Sequence, residues 1–118
     1  KSSLKNIVGF LNAEGGTLLI GVSDEGNVTG IENDLFKTND KYLLHFKNLI
    51  NSKIGSEYYP LIDFDIFSVL DKKVLKVDCK ASTEPCFYEE TEFYVRTNPA
   101  TDRLEGRRQM EYIKSRFK

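Results

Sequence analysis

The stretch YVRTNPATDR, Tyr94 to Arg103, concentrates groups that grip anions. Arg96 stands at the end of an apolar run, and Thr97, Asn98, Thr101 and Arg103 follow it. Guanidinium groups bind phosphate oxygens bidentately, and hydroxyl and amide donors supplement them. Tyr94 adds a ring on which a base could stack. Arg107 and Arg108 follow a few residues later and extend the basic character. The same residues could also make an ordinary solvated loop, capped by Asp102.

Carboxylates are the second candidate. Asp24 and Glu25 end an apolar run, and Glu14 precedes it. Converging carboxylates could hold Mg²⁺ or Mn²⁺, and Asp24 is the candidate catalytic and metal-binding residue. No cofactor is demanded by the pattern. A turn that keeps a hairpin soluble explains the same residues.

Other chemistries find little support. The glycines of FLNAEGGTLLIGVSDEGNVTGI (Phe10–Ile31) close a helix and open a strand, whereas a phosphate loop opens a helix and carries a Lys. The local charges, Glu14, Asp24 and Glu25, have the wrong sign for phosphate. His45 is the one histidine, among the apolar residues of a helix. Cys79 and Cys86 read as buried thiols of a reducing compartment, and two Cys with one His make a poor zinc set.

These groups need elements to hold them. Leu4, Ile7, Val8 and Leu11 fall on one helical face, and Gly15 and Gly16 suit the reversal after it. Thr17–Val22 predicts a strand buried on both faces, with Val28–Ile31 returning beside it as a hairpin. Asp40 to Lys53 predicts a second helix, with Tyr42, Leu43, Phe46, Leu49 and Ile50 as its stripe and Gly55 as its stop. Leu61–Leu70 and Val74–Lys80 alternate as a hairpin around Asp71–Lys73. CFY and EFYVR predict a pair of short strands around Glu89–Glu90. TNPATDRLEG reads as a long polar turn, and a final helix runs from about Leu104 to Phe117, with Met110, Ile113 and Phe117 inward. The result is an α+β fold: a mostly antiparallel sheet built from hairpins, with about three packed helices.

The 118 residues suffice for one domain, 1–118, and the abrupt start at Lys1 suggests a fragment of a longer protein. No run reaches the length of a membrane span and no signal peptide is evident, so a soluble cytoplasmic chain is expected. The net charge of −1 is unevenly spread. Residues 14–90 carry eight bases and 14 acids, while residues 91–118 carry seven bases and four acids. Basic ends around an acidic middle could form one basic face.

Ile7–Ile31 and Phe93–Ile113 together resemble the Schlafen AlbA_2 family, also described as DNA-binding or as divergent ATP-binding proteins. Phe10, Asn12, Gly15, Gly16, Leu18, Ile20, Gly21, Val22 and Asp24 match its first motif. Tyr94, Arg96, Asn98 and Thr101 match its second. The resemblance implies an α+β fold and association with nucleic acid, DNA or RNA, as a homodimer or a tandem lobe. It suggests a module of a transcriptional regulator or defence protein. Contacts to phosphate would come from Arg96, Asn98, Thr101, Arg103, Arg107 and Arg108, with Tyr94 beside them. Eukaryotic Schlafens are metal-dependent ribonucleases using three acidic residues, of which Asp24 matches the third. The other two belong to a segment upstream of Lys1. ATP binding and a protein-interaction role are the remaining alternatives.

Overall fold

A computed structural model describes residues 2–23, 26–31 and 38–117, with the backbone alone for Ser2. Asp24 and Glu25 lie outside the described residues, as do 32–37.

Helix α1 (Ser2–Asn12) forms from the expected stripe: Leu4, Ile7, Val8 and Leu11 are buried, and Phe10 and Asn12 join them. Its end is closed by Gly15, whose N–H reaches the Phe10 carbonyl at 2.9 Å in a backbone conformation of φ +81°. Only glycine adopts that conformation without strain. A side chain at Gly15 would also strike the Cys79 carbonyl.

Strand β1 (Gly16–Ile20) follows and lies antiparallel to β3 (Lys72–Cys79), which pairs on its other side with β2 (Ile62–Val69). The expectation that β1 is buried on both faces is overturned. Leu18 and Ile20 pack against the core, whereas Thr17 and Leu19 are exposed. As an edge strand of a sheet covered on one side, β1 needs only alternate residues inside.

The expected hairpin return at Val28–Ile31 is a single bridge, Val22 to Val28. Gly21 turns the chain at φ +105°, its carbonyl accepts the N–H groups of both Thr29 and Gly30, and Ile31 then bonds to the Lys73 carbonyl. The segment therefore crosses to β3 without laddering against β1.

Helix α2 (Asn39–Lys53) is capped by Thr38, whose hydroxyl accepts the Lys41 N–H at 3.1 Å. Phe46 and Ile50 are buried on it, and Gly55 stops it as expected. A 3-10 turn (Ser56–Leu61) leads into β2. Phe46 meets Phe64 edge-on at 5.0 Å, seating α2 on the sheet. The β2–β3 register pairs Val69 with Lys72, so the turn is Leu70–Asp71, one residue earlier than the sequence suggests. Both turn residues have positive φ, as the twist of a two-residue hairpin requires. Leu4, Ile7 and Leu11 of α1, Phe46 and Ile50 of α2, and Leu75 and Val77 of β3 share one core cluster.

Strand β4 (Phe93–Arg96) pairs with β5 (Thr101–Leu104), not with CFY as the sequence suggests. Tyr88 makes one bridge to Glu92, and the polar "turn" TNPATDRLEG contains β5. Helix α3 (Gly106–Arg116) follows β5, touches this second sheet through Tyr112 and is tied by hydrogen bonds to the end of α1. Phe93 is fully buried, with its ring 6.0 Å from that of Tyr112. The inner face of α3 is Gln109, Tyr112, Ile113 and Arg116, a regular i, i+3, i+4, i+7 set. Met110 is 57% exposed and does not point inward, which corrects the sequence reading.

The architecture is α+β, with antiparallel sheets and packed helices. No helix among the described residues is long and apolar enough to cross a membrane.

Candidate functional site

The C-terminal end of α1, the β4–β5 turn and α3 enclose a cleft of about 480 Å³. Phe10, Glu14, Gly15 and Gly16 line one side, Arg96, Thr97 and Asn98 a second, and Tyr112 and Arg116 a third. Both sequence motifs thus meet here, about seventy residues apart in the chain.

Asn12 fixes this junction. Its side chain is fully buried and fully used: Nδ2 donates to the Cys86 and Tyr94 carbonyls at 2.8 and 2.9 Å, and Oδ1 accepts the Cys86 N–H at 2.8 Å. The amide ties α1, the loop at Cys86 and β4 together. The last carbonyls of α1 are satisfied from α3: Tyr112 donates its hydroxyl to Asn12 O at 2.6 Å, and Arg116 Nη2 donates to Ala13 O at 2.7 Å and to Ser82 O at 3.2 Å. A guanidinium at a helix C-terminus is also favoured by the helix dipole. Burial raises the Tyr112 hydroxyl's pKa above its ordinary value.

Arg96 is placed differently. Its guanidinium carbon lies 5.2 Å from the centre of the Phe10 ring, and Nη1 donates to Thr101 Oγ1 at 3.3 Å. Its Nε is buried with no hydrogen-bond partner among the described residues. An unpaired buried donor is costly, and a guanidinium edge is shaped to receive two oxygens of one anion. Asn98 sits at the mouth with φ +44°, exposed, and Thr97 is held by its bond to Asp102 at 2.7 Å.

The other basic residues named from sequence are not gathered in the cleft. Arg103 is engaged by Glu92 at 4.0 Å and Glu105 at 3.7 Å. Arg107 pairs with Glu111 on the surface of α3, and Arg108 is exposed beside it. Thr101 is spent on Arg96, so it orients the arginine.

Tyr94 is 8% exposed, and its ring packs edge-on to Tyr88 while Lys5 lies over it at 5.6 Å. Its face is covered, so this placement offers no platform for a base. Its hydroxyl donates to Glu92 Oε1 at 2.6 Å. That bond, aided by Arg103 and Lys5, lowers the Glu92 carboxyl, while burial and then the Glu92 bond raise the Tyr94 hydroxyl.

Sequence reasoning did not select Asn12 as a structural keystone, nor Arg116 and Tyr112 as cleft residues. A signal existed for Asn12: it continues the apolar row Leu4–Val8 at i+4, where a polar residue must find buried partners.

Cys79 and Cys86 are buried free thiols, both pushed up to about 12, chiefly by burial. His45 is exposed on α2. Among the described residues no group of three or more His, Cys, Asp or Glu could hold a metal ion. Two further clefts, of about 310 and 250 Å³, are lined by Glu57, Glu90 and Lys53 in one and by Asp63, Asp65, Asp78 and Lys76 in the other. In each the lysine is paired with a carboxylate, Lys53 with Glu89 and Lys76 with Asp78.

Antiparallel hairpins under packed helices, with two distant motifs meeting at one cleft, define an α+β domain of a recognisable kind. The family model for the Schlafen AlbA_2 domain matches residues 1–105, and the chain belongs to that family. Its fold is similar to the crystal structure of the DIP2311 protein from Corynebacterium diphtheriae, with a TM-score of 0.72 at 20% identity. The match covers 98% of this chain and 21% of that one, so this chain spans about a fifth of that protein's length. A search of the curated proteins finds no match.

Proposed function

We propose that this domain binds nucleic acid, DNA or RNA, through its phosphate backbone, with Arg96 as the central contact. The observation that carries this is the Arg96 guanidinium: one face on Phe10, one nitrogen on Thr101, and a buried Nε left without a partner at a cleft. Arg96 lines the cleft, and a phosphate oxygen that displaced the cover over Nε would satisfy that donor. Asn98 at the mouth serves as a second donor, and Arg107 and Arg108 on α3 extend the contact along a strand. Arg103 is a weaker contributor, because Glu92 and Glu105 already hold it. Membership in the Schlafen AlbA_2 family supports a nucleic-acid-related role.

The test is binding of labelled DNA and RNA oligonucleotides across a salt series. Removing one cation from the phosphate backbone should flatten the slope of log affinity against log salt by about 0.9 on a duplex. Arg96→Ala should do so, and Arg103→Ala should flatten it by less. Absence of binding at low salt, or an unchanged slope in Arg96→Ala, rejects the proposal.

A metal-dependent ribonuclease remains the alternative, resting on Asp24 and on the family. Mn²⁺-dependent cleavage of structured RNA that disappears in Asp24→Ala would replace binding with catalysis as the function.

A further inference from the structure

We propose that Phe10 is the positioning residue for the Arg96 guanidinium, and that Gly16 is required because the Phe10 ring occupies the space a side chain would take. This rests on the reading of Arg96 as the phosphate contact.

An arginine side chain has many accessible rotamers, so an exposed one is a poorly aimed donor. Arg96 is restrained on two sides: the Phe10 ring under its face at 5.2 Å, and Thr101 on Nη1 at 3.3 Å. Both restraints depend on missing side chains elsewhere. A Cβ on Gly16 would lie 2.5 Å from Cδ1 and Cε1 of Phe10. A Cβ on Gly9 would lie 2.8 Å from Cγ2 of Thr101 and 3.3 Å from the backbone nitrogen of Arg96. Phe10 is itself 7% exposed and lines the cleft, so a side chain at Gly16 would push its ring off the Arg96 guanidinium. The chain of contact runs from Gly16 to Phe10 to Arg96 to Thr101 to Gly9. It joins the glycine motif to the arginine motif as one device for aiming a guanidinium. The ring also attracts the cation, which holds it against solvent.

A purely structural role for Phe10 is the competing account, since it also belongs to the core. Two readouts separate them. The first needs no ligand: the side-chain Nε–H resonance of Arg96, observed by NMR. Over the Phe10 ring it should be ring-current shifted and protected from exchange, and in Phe10→Leu it should move toward the free-arginine position while the backbone spectrum of β4 and β5 stays in place. The second is a double-mutant cycle of Phe10→Leu and Arg96→Ala, read as oligonucleotide affinity and salt slope. Phe10→Leu alone should flatten the slope by close to the roughly 0.9 of one phosphate contact. In the Arg96→Ala background it should change neither slope nor affinity. Gly16→Ala displaces the ring without deleting it, and should reproduce the Phe10→Leu resonance shift if that variant fails to fold. An unshifted Nε–H in the wild type, or equal affinity losses from Phe10→Leu with and without Arg96, overturns the proposal. A shifted resonance in a protein that binds no oligonucleotide would instead keep the positioning role and reject the nucleic-acid reading.

Discussion

Replacing Asn12 with Ala should remove much of the stability of this domain. The amide makes three hydrogen bonds to buried backbone, to Cys86 N–H, Cys86 C=O and Tyr94 C=O. Alanine fits the helix but leaves all three groups without that partner. Each stranded buried group costs about 1–3 kcal/mol, which for three groups gives a loss of about 6 kcal/mol at the middle of the range. Total stability for a domain is only about 5–15 kcal/mol. Urea unfolding is the assay. With an m-value of about 2 kcal/mol/M, the midpoint should fall by about 3 M. Asn12→Asp provides an internal check. Its neutral acid can still donate one hydrogen bond, whereas its ionised form places a buried charge against two carbonyls. Its folded pKa is therefore raised above the unfolded value of about 3.9. A raised pKa means stability that is fully present below the unfolded value and lost as pH rises through the folded one. Asn12→Asp should thus lie closer to wild type near pH ~4 than near pH ~8. A loss below about 1 kcal/mol in Asn12→Ala, or an Asn12→Asp penalty independent of pH, would refute the role assigned to this amide.

Three further outcomes are expected. Leu70 and Asp71 both hold positive φ in the β2–β3 turn, so the paired change Leu70→Asn with Asp71→Gly should raise the unfolding free energy by about 0.5–1 kcal/mol in urea titration. Cys79 and Cys86, raised to about 12, should resist alkylation at mildly alkaline pH in the native state and react once unfolded, and the stability their burial confers should be lost between pH 9 and about 12, measured by thermal melts across that window. Gly9→Val should shift Thr101, loosen β5 against α1 and lower the melting temperature, because a Cβ there already crowds Thr101 Cγ2 at 2.8 Å; an unchanged melt would show that the hairpin can give way.

The local code was legible where period and punctuation agreed. Leu4, Ile7, Val8 and Leu11 marked α1, the alternation of Ile62, Phe64 and Ile66 marked β2, and Gly55 marked the end of α2. It failed where partner choice decided the outcome. EFYVR is strand-like whichever neighbour it takes, and only the turn Thr97–Ala100, closed by the Thr97 N–H on the Ala100 carbonyl, selects TDRL over CFY. Met110 and Tyr112 are both plausible inward residues on α3 until the helix is docked on Phe93. Tyr94 looked like a stacking platform because its ring is aromatic and its neighbours are polar, yet its position under Lys5 and beside Tyr88 is a matter of packing.

The sequence by itself determined the family, the α+β class and the two motifs that meet at the cleft, because glycine, helical periodicity and residue type act over a few neighbouring positions. Tertiary structure alone decided which of the cations are available. Arg96, Arg103 and Arg116 are equivalent in a sequence, but folding lays one on Phe10 with its buried Nε lacking a hydrogen-bond partner among the described residues, gives one to Glu92 and Glu105, and spends one on the carbonyls of Ala13 and Ser82. Charge is a property of the residue, whereas an unpaired donor at a cleft is a property of everything packed around it.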